Sequence, residues 1–240
     1  MNGDARAAVV AVHQPEHLPW LGFFAKMDAA DLLVSLDIVP FRKNYFQNRN
    51  RILGPDGGPL WLTVPVRLDG HLAGEIRTVR IAEDGRWRRK YLRTVEQRYG
   101  RHPHFREHFE PLARVLEAEW SGIAALNLAL IDALRRPLGI HTPIVRASDL
   151  GVTGTRSELL AAICRRLGAA VYLSGPSGRE YLDPTPFEAA GIRIAFHDYD
   201  HPVYRQRGCD GFVSHLSAVD LLFNCGPGSA EILRAGRRIG

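Results

Sequence analysis

Cysteine is scarce in this chain of 240 residues: there are three, Cys164, Cys209 and Cys225, with no CxxC pair among them. An odd, irregularly spaced set argues against a disulfide framework, and the thiols are expected to stay reduced. Cys164 falls in the helical pattern SELLAAICRRLG and reads as core, whereas Cys209 and Cys225 sit in loops beside glycine. Neither loop thiol has an adjacent feature that would stabilise a thiolate. Long apolar runs are missing too. No window approaches the ~18 apolar residues a bilayer span requires. The opening MNGDARAAVVAVHQP lacks the long apolar core and small-residue cleavage site of a signal peptide. A cytoplasmic protein with no membrane span is expected.

Lysine is the scarce cation. Of 31 basic residues only Lys26, Lys43 and Lys90 are lysine, a bias that a GC-rich genome also produces. The net charge of +5 suits phosphate-bearing small molecules as readily as nucleic acid. With no zinc-finger spacing and no basic low-complexity tail, nucleic acid is not the expected partner. The GK[ST] phosphate loop, the G-x-S-x-G elbow, the H-E-x-x-H zinc helix and the Rossmann glycine fingerprint are all absent.

What is present is an ordinary globular composition, 45% apolar and 24% charged, in a chain long enough to bury a substantial core. Ala7–Val12 reads as a first strand, residues 20–27 as an amphipathic helix starting after Pro19, and Ala30–Leu36 as a second strand. That order opens a βαβ unit, which delivers polar chain ends to one edge of a parallel sheet. Phe41–Leu53 is a helix or an ordered loop, and Leu60–Val66 a third strand, followed by a polar turn, with which Ile76–Ile81 could pair. Helices are expected over Trp87–Tyr99 and His104–Leu134, the latter interrupted near Trp120-Ser121-Gly122. A short strand at Ile144-Val145, a helix over Ser157–Leu167 and a strand at Ala170–Leu173 follow. A short helix at Thr185–Ala190, a strand at Ile192–Phe196 and a helical run at Leu216–Phe223 complete the pattern. The expected fold is one mainly parallel α/β domain, Rossmann-like or HUP-like, with a helical insertion at about 87–140.

Four stretches concentrate chemistry. HQPEHLPW places His13 at the end of the first strand, where its imidazole can donate to an oxyanion, beside Gln14 and with His17 in the next turn. The alternative for His13 is a buried ring bonded to backbone. Metal binding by the two histidines is disfavoured by the intervening Pro15. FRKNYFQNRNRIL packs Lys43, Asn48, Arg49, Asn50 and Arg51 among aromatics, a density of amide and guanidinium donors suited to phosphate, carboxylate or sugar hydroxyls. YLSGPSGREYLD brings Ser174, Gly175 and Arg179 out of a strand, where glycines permit a phosphate or oxyanion nest. FHDYDHPVYRQ supplies His197, Tyr199, His201 and Tyr204 for proton transfer or hydroxyl recognition.

The strand, histidine turn and helix followed by KMDAADLLVSLD resemble the opening of the nucleotidylyltransferase-like HUP superfamily, though H-x-x-x-H stands where H-x-G-H is usual. Taken together and in order, HQPEHLPWLGFFAKMDAAD, FRKNYFQNRNRI, WLTVPV, WRRKYLRTVEQRYG, YLSGPSGREYLD, FHDYDHPVYRQ and LSAVDLLFNCGP resemble the WbqC-like proteins from about Val9 to Gly228. The resemblance implies an enzyme of surface-glycan or specialised-metabolite biosynthesis that transfers an acyl or aminoacyl group to a sugar or amino-bearing substrate. Where the family often reads L-D-D-V-Q-F, this chain keeps Asp37 but has Ile38 and Pro40.

On this basis His13 is the expected acid/base or anion-stabilising group, with Asp37 at the second strand end and His197 as a second proton-transfer group. Arg49, Arg51, Arg179 and the Ser174-Gly175 backbone are expected to hold an anionic part of the substrate, and Tyr199, His201 and Tyr204 to line the opposite wall. The substrate is anionic or sugar-like, either free or carried on a carrier. An ATP- and Mg²⁺-dependent ligase or nucleotidylyltransferase, and a non-catalytic sugar- or nucleic-acid-binding accessory protein, are the alternatives. No metal site is expected, the cofactor is unspecified, and the oligomeric state is left open.

Overall fold

A computed structural model describes residues 8–67, 74–82 and 86–239. The polar turn after the third expected strand lies outside them, as does Ala7. Strand β1 (Val9–His13) leads through a loop into helix α1 (Leu21–Asp28) and returns as β2 (Leu32–Ser35). Helix α1 is apolar apart from Lys26 and the terminal Asp28, and residues 21–27 are all buried, as expected of a helix that packs against other elements all round. Two small antiparallel hairpins follow. One pairs β3 (Arg49–Leu53) with β4 (Pro59–Thr63), and the other pairs β5 (Val66–Arg67) with β6 (Arg80–Ile81). Neither joins the main sheet.

Helices α2 (Trp87–Tyr99), α3 (Phe105–Glu117) and α4 (Ile123–Arg135) then lie between β6 and β7 (Ile144–Arg146), within the span expected to be helical. The chain re-enters the sheet through α5 (Arg156–Arg166), β8 (Val171–Ser174), α6 (Gly178–Tyr181), α7 (Thr185–Ala189) and β9 (Arg193–Tyr199). It closes with α8 (Ala218–Cys225), α9 (Ser229–Ala235) and β10 (Arg237–Ile239).

The six-stranded sheet runs β10-β9-β8-β1-β2-β7, parallel except for β10, which pairs antiparallel with β9. Numbered by their order along the chain, the five parallel strands follow the sequence 3-2-1-4-5 of doubly wound α/β folds, in which ligands bind beyond the carboxyl ends at the reversal point. Here that point lies between β1 and β8.

Alternation along each strand separates two cores. Ala11, Leu33, Leu173 and Ala195 face α1, the long helices and α8, whereas Val10, Val12, Val34 and Tyr172 face α5 and α7. The expectation for Phe41–Leu53 was a helix or loop, but its second half forms β3. There Asn50 and Ile52 point inward and Arg49 and Arg51 point outward, a period of two that the polar side chains disguise.

Candidate functional site

The carboxyl edge of the sheet is built around the loop 14–20, and several residues expected to bind substrate instead fix that loop. His17 is fully buried, with Nδ1 3.1 Å from Asn127 Oδ1 and Nε2 2.7 Å from the Tyr91 hydroxyl. Burial, partly offset by the Asn127 bond, pushes its pKa down to about 4. Asn50 donates to the carbonyls of His17 (3.1 Å) and Leu18 (2.9 Å). Asn127 donates to those of Pro15 (2.8 Å) and Gln47 (2.7 Å). Gln14 accepts from Gln47 Nε2 at 2.6 Å, and Asn48 donates to the Val64 carbonyl at 2.9 Å. Leu18 takes a left-handed φ of 41°, a strained state for a branched side chain. The Asn50 bonds on its own and the preceding carbonyl hold it there.

This loop sets His13 at the end of β1 and Glu16 beside it. Lys26, from the last turn of α1, reaches back to donate to the Val12 carbonyl at 3.2 Å. The tilt of helical side chains toward the N-terminus makes that reach possible. The His13 ring packs edge-on against Phe23 at 4.9 Å, and its Nδ1 lies 3.1 Å from the Gln14 carbonyl and 3.9 Å from Glu16. By alternation His197 lies on the same face of the sheet, as does Ser35, which is in register with His13. Glu16 and Lys26 are buried, as are Ser35 and His197. Three polar atoms of this group, Glu16 Oε2, Ser35 Oγ and His197 Nε2, are buried without a hydrogen-bond partner.

Their electrostatics follow from that burial. Desolvation, reinforced by the nearby Lys26 charge, pulls the His13 pKa down to about 3, so the ring is neutral. Desolvation lifts Glu16 to about 7 against the pull of Lys26, and lowers Lys26 to about 8 against that of Glu16. His197 is lowered to about 4 by burial and then by Arg237 and Lys26. A carboxyl and an amine that titrate within about a unit of neutrality, flanked by two neutral imidazoles, can take up or deliver a proton with little bias.

The expected residues are thus divided. His13 and His197 share one face of the sheet at the same level, two strands apart, and Tyr199 stacks on His197 at 6.2 Å, though its hydroxyl donates to the Leu233 carbonyl. His201 extends the same wall: its ring is parallel to that of Trp20 at 6.3 Å, and His215 stacks on Trp20 at 5.0 Å. The indole is seated over Gly22, where any Cβ would collide with it.

Others point elsewhere. Ser174 is in register with Phe196, on the opposite face of the sheet from His13, and its hydroxyl donates to the Gly175 carbonyl. Arg179 makes a two-pronged pair with Asp198 at 2.7 and 2.8 Å, also on that far face. Asp37 is buried, and its carboxylate accepts from the Ser148 amide (3.0 Å) and hydroxyl (2.7 Å), tying the exit of β2 to that of β7. The Tyr204 hydroxyl donates to Asp220 at 2.8 Å. Lys43 is exposed. No group of three or more metal-ligating side chains occurs among the described residues. A groove of about 720 Å³ between α3 and α4, lined by residues such as Leu112, Val115 and Trp120, contains none of the expected site residues.

Sequence reasoning overlooked Glu16, Lys26 and Ser35. One signal was available: Lys26 is the only charge in LGFFAKM, a run otherwise made for burial. A lysine there must either be paired or be functional.

Together the doubly wound order and a cluster of titratable side chains at its carboxyl edge define an α/β protein with a candidate site at the reversal point of its sheet. The chain belongs to the WbqC-like protein family, which matches residues 14–232. It is 34% identical over 232 residues to the uncharacterized protein Rv1507c of Mycobacterium tuberculosis, covering 95% of this chain and 99% of that one. No solved structure matches. Among the described residues, no helix is long and apolar enough to cross a membrane.

Proposed function

We propose that this protein is a small-molecule transferase of glycan or specialised-metabolite biosynthesis, acting in the cytoplasm, that moves an acyl or aminoacyl group onto a hydroxyl or amine. The observation supporting this is the group formed by half-buried His13 and buried Glu16, Lys26 and His197 beside the reversal point of the sheet, with unpartnered polar atoms left for a ligand to satisfy. Glu16 as carboxylate takes the proton from the acceptor hydroxyl or amine as its lone pair attacks the donor carbonyl. The leaving group departs with a proton returned from Glu16 or Lys26. Neutral His13 and His197 orient the two reactants through hydrogen bonds. General acid–base assistance of this kind contributes roughly 10²–10⁴ in rate.

The test begins with thermal melts against nucleotide sugars, acyl-CoA compounds, amino acids and ATP, each with and without Mg²⁺, because ligands that bind the folded state raise its stability. A nucleotide sugar or acyl donor that stabilises without ATP, and whose turnover falls about 100-fold or more in Glu16→Gln, supports the reading. Stabilisation by ATP with Mg²⁺ alone replaces it with an adenylating or nucleotidyl-transferring enzyme. A flat panel counts against a free small-molecule substrate.

A further inference from the structure

The β3–β4 hairpin carries a feature that the acid–base group does not use. Arg49 and Arg51 project from the same face of β3, and Arg51 stands opposite Trp61 in β4. The Arg49 guanidinium carbon lies 4.2 Å from the centre of the indole and that of Arg51 5.7 Å from it, while Trp61 is 41% exposed. Among the described residues neither arginine has a carboxylate partner. Arg49 donates to the Asn44 carbonyl and Arg51 to that of His215 at 3.0 Å. The Nε of each is buried and unpartnered. Arginines elsewhere are treated differently: Arg135, Arg146, Arg179 and Arg234 each meet an aspartate. Two half-buried cations held side by side with no counter-ion are costly unless an anion completes them. Stacking on an aromatic ring fixes the plane of a guanidinium, and the second terminal nitrogen of each arginine, not used by the protein, is left to meet a phosphate oxygen.

We propose that the Arg49–Trp61–Arg51 face binds the phosphoryl or diphosphate end of the small-molecule substrate. This names the anionic part of the substrate in the transferase reading and rests on it. Two cations over one ring match the charge of a diphosphate better than that of a lone carboxylate. The face is continuous with the acid–base group. Arg51 holds the His215 carbonyl, His215 stacks on Trp20, Trp20 meets Tyr199 edge-on at 5.7 Å, and Tyr199 stacks on His197. A molecule anchored at the hairpin therefore lies along one wall that ends at the proton-handling groups.

The test is isothermal titration of the full chain with inorganic pyrophosphate, inorganic phosphate and ADP. The expected result is binding of one or more of the three, weakened about tenfold or more in Arg49→Ala and in Arg51→Ala. Arg49→Lys, which keeps charge but loses the flat stack, recovers only part of the affinity. Glu16→Gln binds with the affinity of the unaltered chain, which separates this site from the acid–base reading. Loss of turnover in Glu16→Gln without any phosphate binding sinks the anion site alone. Retained turnover in Glu16→Gln, with binding lost in the arginine variants, sinks the acid–base assignment alone. If Arg51→Ala fails to fold, Arg51→Lys and Arg49→Ala carry the measurement. No binding of any probe at millimolar concentration, equal binding by all variants, or preference for a short oligonucleotide with a steep salt dependence overturns the proposal.

Discussion

Two of the buried polar groups among the described residues, one around Asp220 and one around Glu16 and Lys26, differ in how far their bonds are satisfied. The Asp220 carboxylate and the three side chains bonded to it are all satisfied. Oδ1 accepts from Tyr99 at 2.9 Å, and Oδ2 accepts from Tyr204 and Gln206 at 2.8 Å each. Gln206 in turn bonds both the amide and the carbonyl of Val213, and the Tyr99 hydroxyl accepts the Leu53 amide. Around Glu16 and Lys26 the opposite holds, with three buried polar atoms unmatched. A saturated network fixes packing, whereas an unsaturated one stores a cost that a ligand can relieve. The difference sets a group whose bonds are used up within the fold apart from one with polar atoms to spare, which is why the second is the candidate site.

The contrast can be broken by mutation, and the closed group should suffer most. Asp220→Ala orphans three buried donors at once and is expected to destabilise the protein by roughly 4 kcal/mol, read as a lower midpoint in urea with unchanged slope. Glu16→Gln should cost less than about 1 kcal/mol, because it removes a buried carboxyl that is already under-solvated. Comparable losses for the two variants would erase the distinction.

Acid should sharpen it. His13, His17 and His197 are held neutral in the folded state, with pKa values lowered to about 3, 4 and 4 from 6.5. Below 6.5 the unfolded chain therefore binds more protons at these sites, and stability is lost as pH falls. Glu16 opposes them. Its pKa, raised from 4.5 to about 7, makes the folded chain the better proton binder across that window, so its contribution grows as pH falls. Three histidines outweigh one carboxyl, so the melting temperature should drop between pH 6.5 and 4.5, and more steeply in Glu16→Gln. A parallel profile for the two proteins would mean that Glu16 does not take up a proton there. The smallest effect is expected at the far face. Arg179→Ala removes an exposed pair with Asp198 and should leave the urea midpoint and the turnover unchanged.

Much of the fold was legible because its pattern is local. Trp87, Tyr91, Leu92, Val95 and Tyr99 repeat at helical spacing, and α2 has the expected bounds. The parallel sheet followed from strands alternating with helices. What stayed hidden depends on contacts across the chain. Strand β3 was masked because arginine and asparagine have weak strand preference. Its inward Asn50 earns its place only by gripping carbonyls more than 30 residues away. His13 and His197 were legible as polar residues at strand ends, but the face each occupies depends on register. One residue's offset sends Ser174 to the far side. Glu16 and Lys26 feel each other's charge only because a loop turns back over the helix that carries the lysine. No periodicity links two residues ten apart across Pro19.

The margins of the sheet have a consequence of their own. At one side β10 is three residues long and carries Arg237 and Arg238, and at the other β7 is equally short and ends in Arg146. Arg237 is bound to Asp28, Arg238 to Asp200 and Arg146 to Asp149. Short borders dressed with held cations are poor templates for another strand. The six-stranded sheet should therefore resist being extended by a second copy even at high concentration, and any self-assembly is expected to use other surfaces.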